Sequence, residues 1–117
     1  NQTLSNAMDV GNPSNLARIR YLFGDDLKRI KAMISSWSFS DAETRDMMGA
    51  VYRQYDYVID PHTAVGFLGL EKFRSVVQSS GPGLVISTAH PAKFPESVEP
   101  VIGQSVSIPP QLARYLD

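Results

Sequence analysis

The sequence of 117 residues contains no cysteine, so disulfides, thiolate metal sites and a cysteine nucleophile are excluded. It contains only two histidines, which do not stand at the spacing of metal ligands, so no metal site is expected. The net charge is −1, which argues against a general nucleic-acid surface or a polybasic membrane surface, because both need clustered Lys and Arg. Apolar residues make up 43% and charged residues 20%, as is typical of a globular protein.

Several signatures of catalysis and targeting are also missing. The sequence has no GxGxxG, GxxxxGKS/T or GxSxG, so the common nucleotide-binding loops and the serine-hydrolase elbow are absent. No apolar run approaches the ~20 residues of a membrane-spanning helix. The first residues lack the basic start and apolar centre of a signal peptide, and they lack an initiator Met. We therefore expect the chain to be a part of something longer.

Capping signals and apolar periodicity predict about five helices. The clearest start is the capping box of Ser40 and Glu43, a hydroxyl followed three residues later by a carboxylate. The stripe after it is expected to lie in the core: Met47, Met48, Val51, Tyr52 and Tyr55. Other helix starts are predicted at Asn12-Pro13, at Asp25 or Asp26, at Asp60-Pro61, after Pro91, near Pro95 and at Pro110.

Two extended segments are predicted, a short strand at residues 57–59 and the best strand of the chain at residues 83–87. The order of strand then helix suggests parallel strands, which need neighbouring strands that this chain does not supply. The expected fold class is therefore α/β, a mostly helical segment with one or two strands from a larger protein. Residues 1–117 are expected to form one segment without an internal domain boundary. A small helical domain with one hairpin is the alternative.

A dense set of polar residues follows the second predicted strand. In open α/β sheets ligands bind beyond the carboxyl ends of the strands, where Ser87 and Thr88 stand. His90 and Lys93 would then lie at a helix start, which favours anions. The alternative is structural: Thr88 caps the helix, His90 is a partly buried residue and Lys93 is solvated surface.

Two further loops combine polar residues in front of a helix. In the first, Asp60 precedes Pro61, His62 and Thr63, and the alternative to a ligand site is a plain helix start with a surface histidine. The second contains Asn6 and Asp9, whose residue types are equally explained by turn formation. Asp9 and Asp60 are a possible acid pair, although nothing in the sequence brings them together.

Taken in order, the three loops resemble threonine synthase. The motifs are TLSNAMDVGNPSN at residues 3–15, DPHTAVGFLGL at 60–70 and STAHPAKFPESVEPVIG at 87–103. The resemblance spans nearly the whole chain and is to the C-terminal part of the family. It implies a cytoplasmic, pyridoxal-phosphate-dependent lyase of the tryptophan-synthase β type (fold type II), which acts in threonine biosynthesis. Such enzymes convert O-phospho-L-homoserine and water to L-threonine and phosphate.

The resemblance also implies which residues face the cofactor. Enzymes of this type place a Ser or Thr hydroxyl against the pyridine nitrogen, and by motif position Thr88 is the first candidate and Ser87 the second. Loop or phosphate contacts are expected from a further five residues: His90, Lys93, Asn6, Asp9 and His62.

No catalytic residue is expected in this segment. In the family, the lysine that holds the cofactor as a Schiff base and the Gly-rich phosphate loop both lie upstream. The role is therefore not assigned to Lys28, Lys31, Lys72 or Lys93, and the isolated segment is expected to be inactive. The remainder of the enzyme chain is its expected partner. The alternative function is a stand-alone, non-catalytic α/β module that binds an anion or a partner subunit.

Overall fold

The computed structural model describes residues 2–78 and 80–114, and the regular elements within these ranges are all helical. Two 3-10 turns, at Asn6–Met8 and Pro91–Lys93, accompany six α-helices. In chain order the helices are α1 Leu16–Phe23, α2 Leu27–Met33, α3 Asp41–Tyr55, α4 Pro61–Val77, α5 Pro95–Ile102 and α6 Pro110–Ala113.

The short-range capping signals are confirmed in three places. Ser40 and Glu43 form a full capping box at the start of α3, Asp26 caps α2 and Asp60 caps α4. The predicted cap at Asn12 is wrong, because α1 begins at Leu16 and Asn15 precedes it. The carbonyl of Pro13 instead accepts the N–H of Leu16 at 3.1 Å, so a tight turn separates the proline from the helix.

The core lies where α3 packs against α4 and α5. Its buried apolar side chains come from these helices and from the segment before α4: Met47, Met48, Val51, Ile59, Ala64 and Val98. The predicted core role is therefore confirmed for the two methionines and Val51. It is wrong for Tyr55, which is 63% exposed. Tyr55 is the last residue of α3, beyond the part of the helix that α4 and α5 cover.

The strands predicted at residues 57–59 and 83–87 are not found within residues 2–78 and 80–114. A strand is defined by hydrogen bonds to a neighbouring strand, and the described residues offer no such neighbour to either segment. The fold class observed is thus mostly helical, and the expectation of one or two strands is corrected.

Residues 83–87 nevertheless keep the alternation of a strand as they run along α4. Val85 approaches Gly66, where a Cβ would lie 2.9 Å from Val85 Cγ1, and the hydroxyls of Ser87 and Thr63 lie 3.0 Å apart. The intervening side chains are solvent-facing, with Leu84 87% and Ile86 73% exposed. One side of the segment therefore rests on α4 and the other side is uncovered.

The pair of helices α1 and α2 is uncovered as well. Neither helix contains a buried residue. Large apolar side chains project into solvent from both: Tyr21, Leu22, Leu27 and Met33. Among residues 2–78 and 80–114, no helix has both the length and the apolar character that crossing a membrane requires.

Candidate functional site

The centre of the candidate site is the buried carboxylate of Asp60, at the N-terminus of α4. Its side chain is fully buried and receives hydrogen bonds from the backbone N–H groups of His62 at 3.0 Å and Thr63 at 3.2 Å. The ring Nδ1 of His62 lies 2.7 Å from Oδ2, and the hydroxyl of Thr63 donates to Oδ1. Four donors therefore surround the carboxylate, which matches the acceptor capacity of its two oxygens.

His62 connects this carboxylate to the first loop. Its Nε2 accepts a hydrogen bond from the backbone N–H of Ala7 at 3.1 Å, so the ring proton must reside on Nδ1, which donates to Asp60. The ring also packs against Phe94, with centroids 4.9 Å apart. The side chain is only 7% exposed, so the alternative of a surface histidine is wrong.

Thr63 connects the same carboxylate to the third loop. Its hydroxyl is shared between Asp60 and the hydroxyl of Ser87, at 3.0 Å. One hydrogen-bonded chain thus runs from Ala7 through His62, Asp60 and Thr63 to Ser87. The three loops that the sequence singled out separately are brought together by it.

Asn6 and Asp9 lie at the edge of this arrangement. Asn6 begins the 3-10 turn that contains Ala7, and its own side chain is exposed. The carboxylate of Asp9 accepts the N–H of Thr3 at 2.7 Å and its hydroxyl at 2.8 Å, and these bonds lower the pKa of Asp9 below its usual value. Asp9 is thus bonded to Thr3 and Asp60 to His62 and Thr63, and the hydrogen bonds of the described residues include none between the two carboxyl groups.

The loop after Ser87 turns at a cap formed by His90. The Nδ1 of His90 accepts the N–H of Ala92 at 3.1 Å and caps the turn Pro91–Lys93. The alternative in which Thr88 caps this turn is therefore wrong. Thr88 and Lys93 are both exposed.

A cavity of about 350 Å³ lies beside the end of residues 83–87. Its walls include Ser87 and His90 on one side and Tyr57, Val106 and Ser107 on the other. Such a volume suits a small ligand. Sequence reasoning missed the second wall, although the polar run Gln104-Ser105 after the helix-ending Gly103 was a signal for a loop there.

Within the two described ranges, no three His, Asp or Glu side chains are grouped so that they could hold a metal ion. What the site presents is a set of hydroxyls and imidazoles, which can bind and orient a polar organic ligand.

Comparison with known proteins gives one consistent result. The family model described as "Threonine synthase, C-terminal" matches residues 63–117. Threonine synthase from Escherichia coli is 36% identical over 98% of this chain and 26% of its own length, and that from Serratia marcescens is 40% identical over 95% and 25%. The chain therefore spans about a quarter of the length of the curated relatives that it matches.

Solved structures agree with the sequences. The crystal structure of Escherichia coli threonine synthase superposes with a TM-score of 0.72 at 36% identity, over 96% of this chain and 25% of that one. The PLP-bound threonine synthase of Brucella melitensis gives a TM-score of 0.68 at 27% identity, over 96% and 29%.

The fold matches a segment of these solved structures, whose chains are longer than this one. The chain belongs to the threonine synthase family and matches the C-terminal part of its members. The resemblance predicted from the three sequence motifs is thereby confirmed.

Proposed function

We propose that this chain is the C-terminal part of a threonine synthase and forms one wall of its cofactor site. The reaction is the conversion of O-phospho-L-homoserine and water to L-threonine and phosphate. The observation that carries the proposal is the convergence of the three family motifs on one hydrogen-bonded chain, which ends at Ser87 beside a cavity. The family match supports the reaction, and the PLP-bound relative supports pyridoxal phosphate as the cofactor.

The residues present fit that cofactor. Ser87 and Thr88 are adjacent residues at the end of an extended segment, where their hydroxyls face opposite sides, and a neutral hydroxyl there can hydrogen-bond a heterocyclic nitrogen. When bound, pyridoxal phosphate supplies the electron sink for elimination and replacement chemistry. Thr88 is the proposed partner of the ring nitrogen, with Ser87 second. His90 lines the cavity together with Ser87.

Binding of substrate phosphate is proposed to involve the edge of the same site. Lys93 is exposed on the turn that His90 caps, and its cationic side chain suits a phosphate. His62 contributes indirectly by fixing the turn that contains Asn6, and Asp9 fixes the start of that loop through Thr3.

The remaining catalytic parts are proposed to lie in the rest of the enzyme. Lys28, Lys31, Lys72 and Lys93 are all exposed, and none of them contacts the Asp60 network. The lysine that anchors the cofactor is therefore expected outside this chain, which would be inactive alone. The cytoplasmic location and the single segment over residues 1–117 are proposals of the same kind.

Uncovered apolar surface supports a segment over a stand-alone binding module. Leu84, Ile86 and Leu22 are each at least 70% exposed, which is unfavourable for a protein that works alone. The remainder of a threonine synthase chain would cover such side chains.

A chimaeric enzyme tests the proposal. In it, this chain replaces the matching part of Escherichia coli threonine synthase, and phosphate release from O-phospho-L-homoserine is measured. Thr88→Val is expected to lower kcat roughly 10- to 100-fold, because a hydrogen bond to a charged or polarised group contributes ~1.5–3 kcal/mol. Thr88→Ser keeps the hydroxyl and is the control. If the chimaera folds and binds cofactor yet releases no phosphate, the proposed reaction is wrong.

A further inference from the structure

The direction of one hydrogen bond decides what Ser87 offers to a ligand. The hydroxyl oxygens of Ser87 and Thr63 are 3.0 Å apart, and by geometry alone either can donate. Each hydroxyl has one proton, so the other bonds of Thr63 determine the direction.

The other bond of Thr63 goes to Asp60. That carboxylate accepts two backbone N–H groups and the Nδ1–H of His62, so it acts as an acceptor throughout. Thr63 Oγ1 is hydrogen-bonded to Asp60 Oδ1, and a carboxylate oxygen accepts, so the proton between these two atoms belongs to Thr63. The single proton of Thr63 therefore points to Asp60, and the proton of Ser87 must point to Thr63.

Ser87 is left with lone pairs alone on its cavity side. It can accept a hydrogen bond from a ligand, but it cannot donate one to an unprotonated ring nitrogen. Thr88 is exposed, as Ser87 is, but it lies outside this chain of hydroxyls, so its proton is not engaged by Thr63 or Asp60. By the alternation of extended backbone it also faces the opposite side, together with the uncovered Leu84 and Ile86.

We propose that Asp60 and Thr63 are positioning residues. They hold the hydroxyl proton of Ser87 in a hydrogen bond to Thr63, which leaves Thr88 as the donor to the cofactor ring nitrogen. This inference rests on the proposed function. Ser87 then anchors the end of residues 83–87 to α4, and the anchored backbone presents Thr88 to the part of the enzyme that carries the cofactor.

The test uses the chimaera loaded with pyridoxal phosphate labelled with ¹⁵N in the ring, and it reads the resonance of that nitrogen. Thr88→Val is expected to shift the resonance, because the nitrogen loses its donor. Ser87→Ala removes the anchor but not the donor, so it is expected to move the resonance less than Thr88→Val does. Thr63→Val breaks the same hydrogen bond between Thr63 and Ser87 and is expected to move the resonance by a similar, smaller amount. Thr63→Ser is expected to restore it, since serine keeps the hydroxyl that Ser87 needs.

Each result has a separate meaning. A shift with Ser87→Ala but none with Thr88→Val would show that Ser87, not Thr88, donates to the ring nitrogen. The proposed direction of the hydrogen bond from Ser87 to Thr63 would then be wrong, while the proposed reaction and cofactor wall would stand. A resonance that moves with neither variant would show that neither hydroxyl contacts the ring nitrogen. Both the proposed cofactor wall and the proposed direction of the hydrogen bonds from Ser87 through Thr63 to Asp60 would then be wrong. If Thr63→Val does not fold, the comparison of Ser87→Ala with Thr88→Val still decides the direction of the bond.

Discussion

The Nε2 of His62 accepts the backbone N–H of Ala7, a residue 55 positions earlier in the chain. The opposite ring nitrogen donates to a buried carboxylate, so both nitrogens have fixed roles. His62 thereby ties the loop to the start of α4, while the N–H of Leu4, earlier in the same loop, donates to Asp41 at the start of α3 at 3.0 Å.

Removal of both ring nitrogens should release this loop. His62→Phe keeps a ring against Phe94 but makes neither hydrogen bond. We expect amide hydrogen exchange at Ala7 to accelerate roughly five- to thirtyfold, the equivalent of 1–2 kcal/mol. The matched control is His90→Phe, which alters the other histidine and should not change exchange at Ala7. Unchanged exchange in His62→Phe would mean that the loop is held by other contacts.

Two glycines of α4 form a natural pair for testing how closely residues 83–87 approach the helix. A Cβ at Gly66 would lie 2.9 Å from Val85 Cγ1, whereas a Cβ at Gly69 would have nothing within 4 Å. Gly69→Ala is therefore expected to stabilise the chain by up to ~1 kcal/mol through helix propensity. Gly66→Ala should lose that gain, because the β-branched Val85 is stiff and must shift.

Urea unfolding followed by far-UV circular dichroism measures the difference between these two variants, which we expect to be roughly 1 kcal/mol. Equal gains for both alanines would show that residues 83–87 do not rest on α4 at Gly66.

What the sequence predicted well depends on short-range chemistry. The cap at Asp60 and the box of Ser40 and Glu43 each involve residues within three positions of one another, so a local pattern contains the whole interaction. The bounds of α5, from Pro95 to Ile102, are signalled by a proline and a glycine in the same way. Such elements can be predicted without knowledge of the rest of the fold.

What the sequence predicted poorly depends on partners at a distance. Residues 83–87 have the composition of a strand, but strand pairing needs a neighbour that the described chain does not contain. The motifs located the three loops of the site because each is locally distinctive. The bonds that join those loops, from Ala7 to His62 and from Thr63 to Ser87, have no local signal.

The capping box predicts a pH dependence. The backbone N–H and hydroxyl of Ser40, each 2.7 Å from Oε2, hold the pKa of Glu43 below its ordinary value of 4.5. A pKa lowered by folding means that the ionised form stabilises the helix above the unfolded value, and that this contribution is lost as pH falls through the folded value. Glu43→Gln should therefore lower the urea midpoint at neutral pH, with the difference vanishing on acidification below 4.5.

The control for this prediction is Glu71→Gln, which removes an exposed carboxyl of α4 that belongs to no capping box. It should leave the urea midpoint nearly unchanged at neutral pH. A difference between Glu43→Gln and the parent that persists undiminished in acid would show that the carboxylate charge is not what stabilises the start of α3.

Substitutions at Leu84 and Val85, which lie on opposite sides of residues 83–87, test whether the rest of the enzyme covers the exposed side. Leu84 is 87% exposed, so Leu84→Asn should change the unfolding free energy of the chain alone by less than ~0.5 kcal/mol. Val85 rests on α4, so Val85→Asn should destabilise the chain alone by roughly 1–3 kcal/mol. In the chimaera the remainder of the enzyme is expected to cover Leu84, and both variants should then lower Tm.

The decisive comparison is between the effect of Leu84→Asn on the stability of the chain alone and its effect on the stability of the chimaera. A purely local effect would be the same in both proteins. A chimaera whose Tm is unaffected by Leu84→Asn would show that the exposed side of residues 83–87 stays in solvent in the full enzyme. Thr88, which follows on that same side, would then face water, and its proposed contact with the cofactor would be wrong. If Leu84→Asn lowers the Tm of the chimaera but leaves the stability of the chain alone unchanged, this side of residues 83–87 packs against the rest of the enzyme.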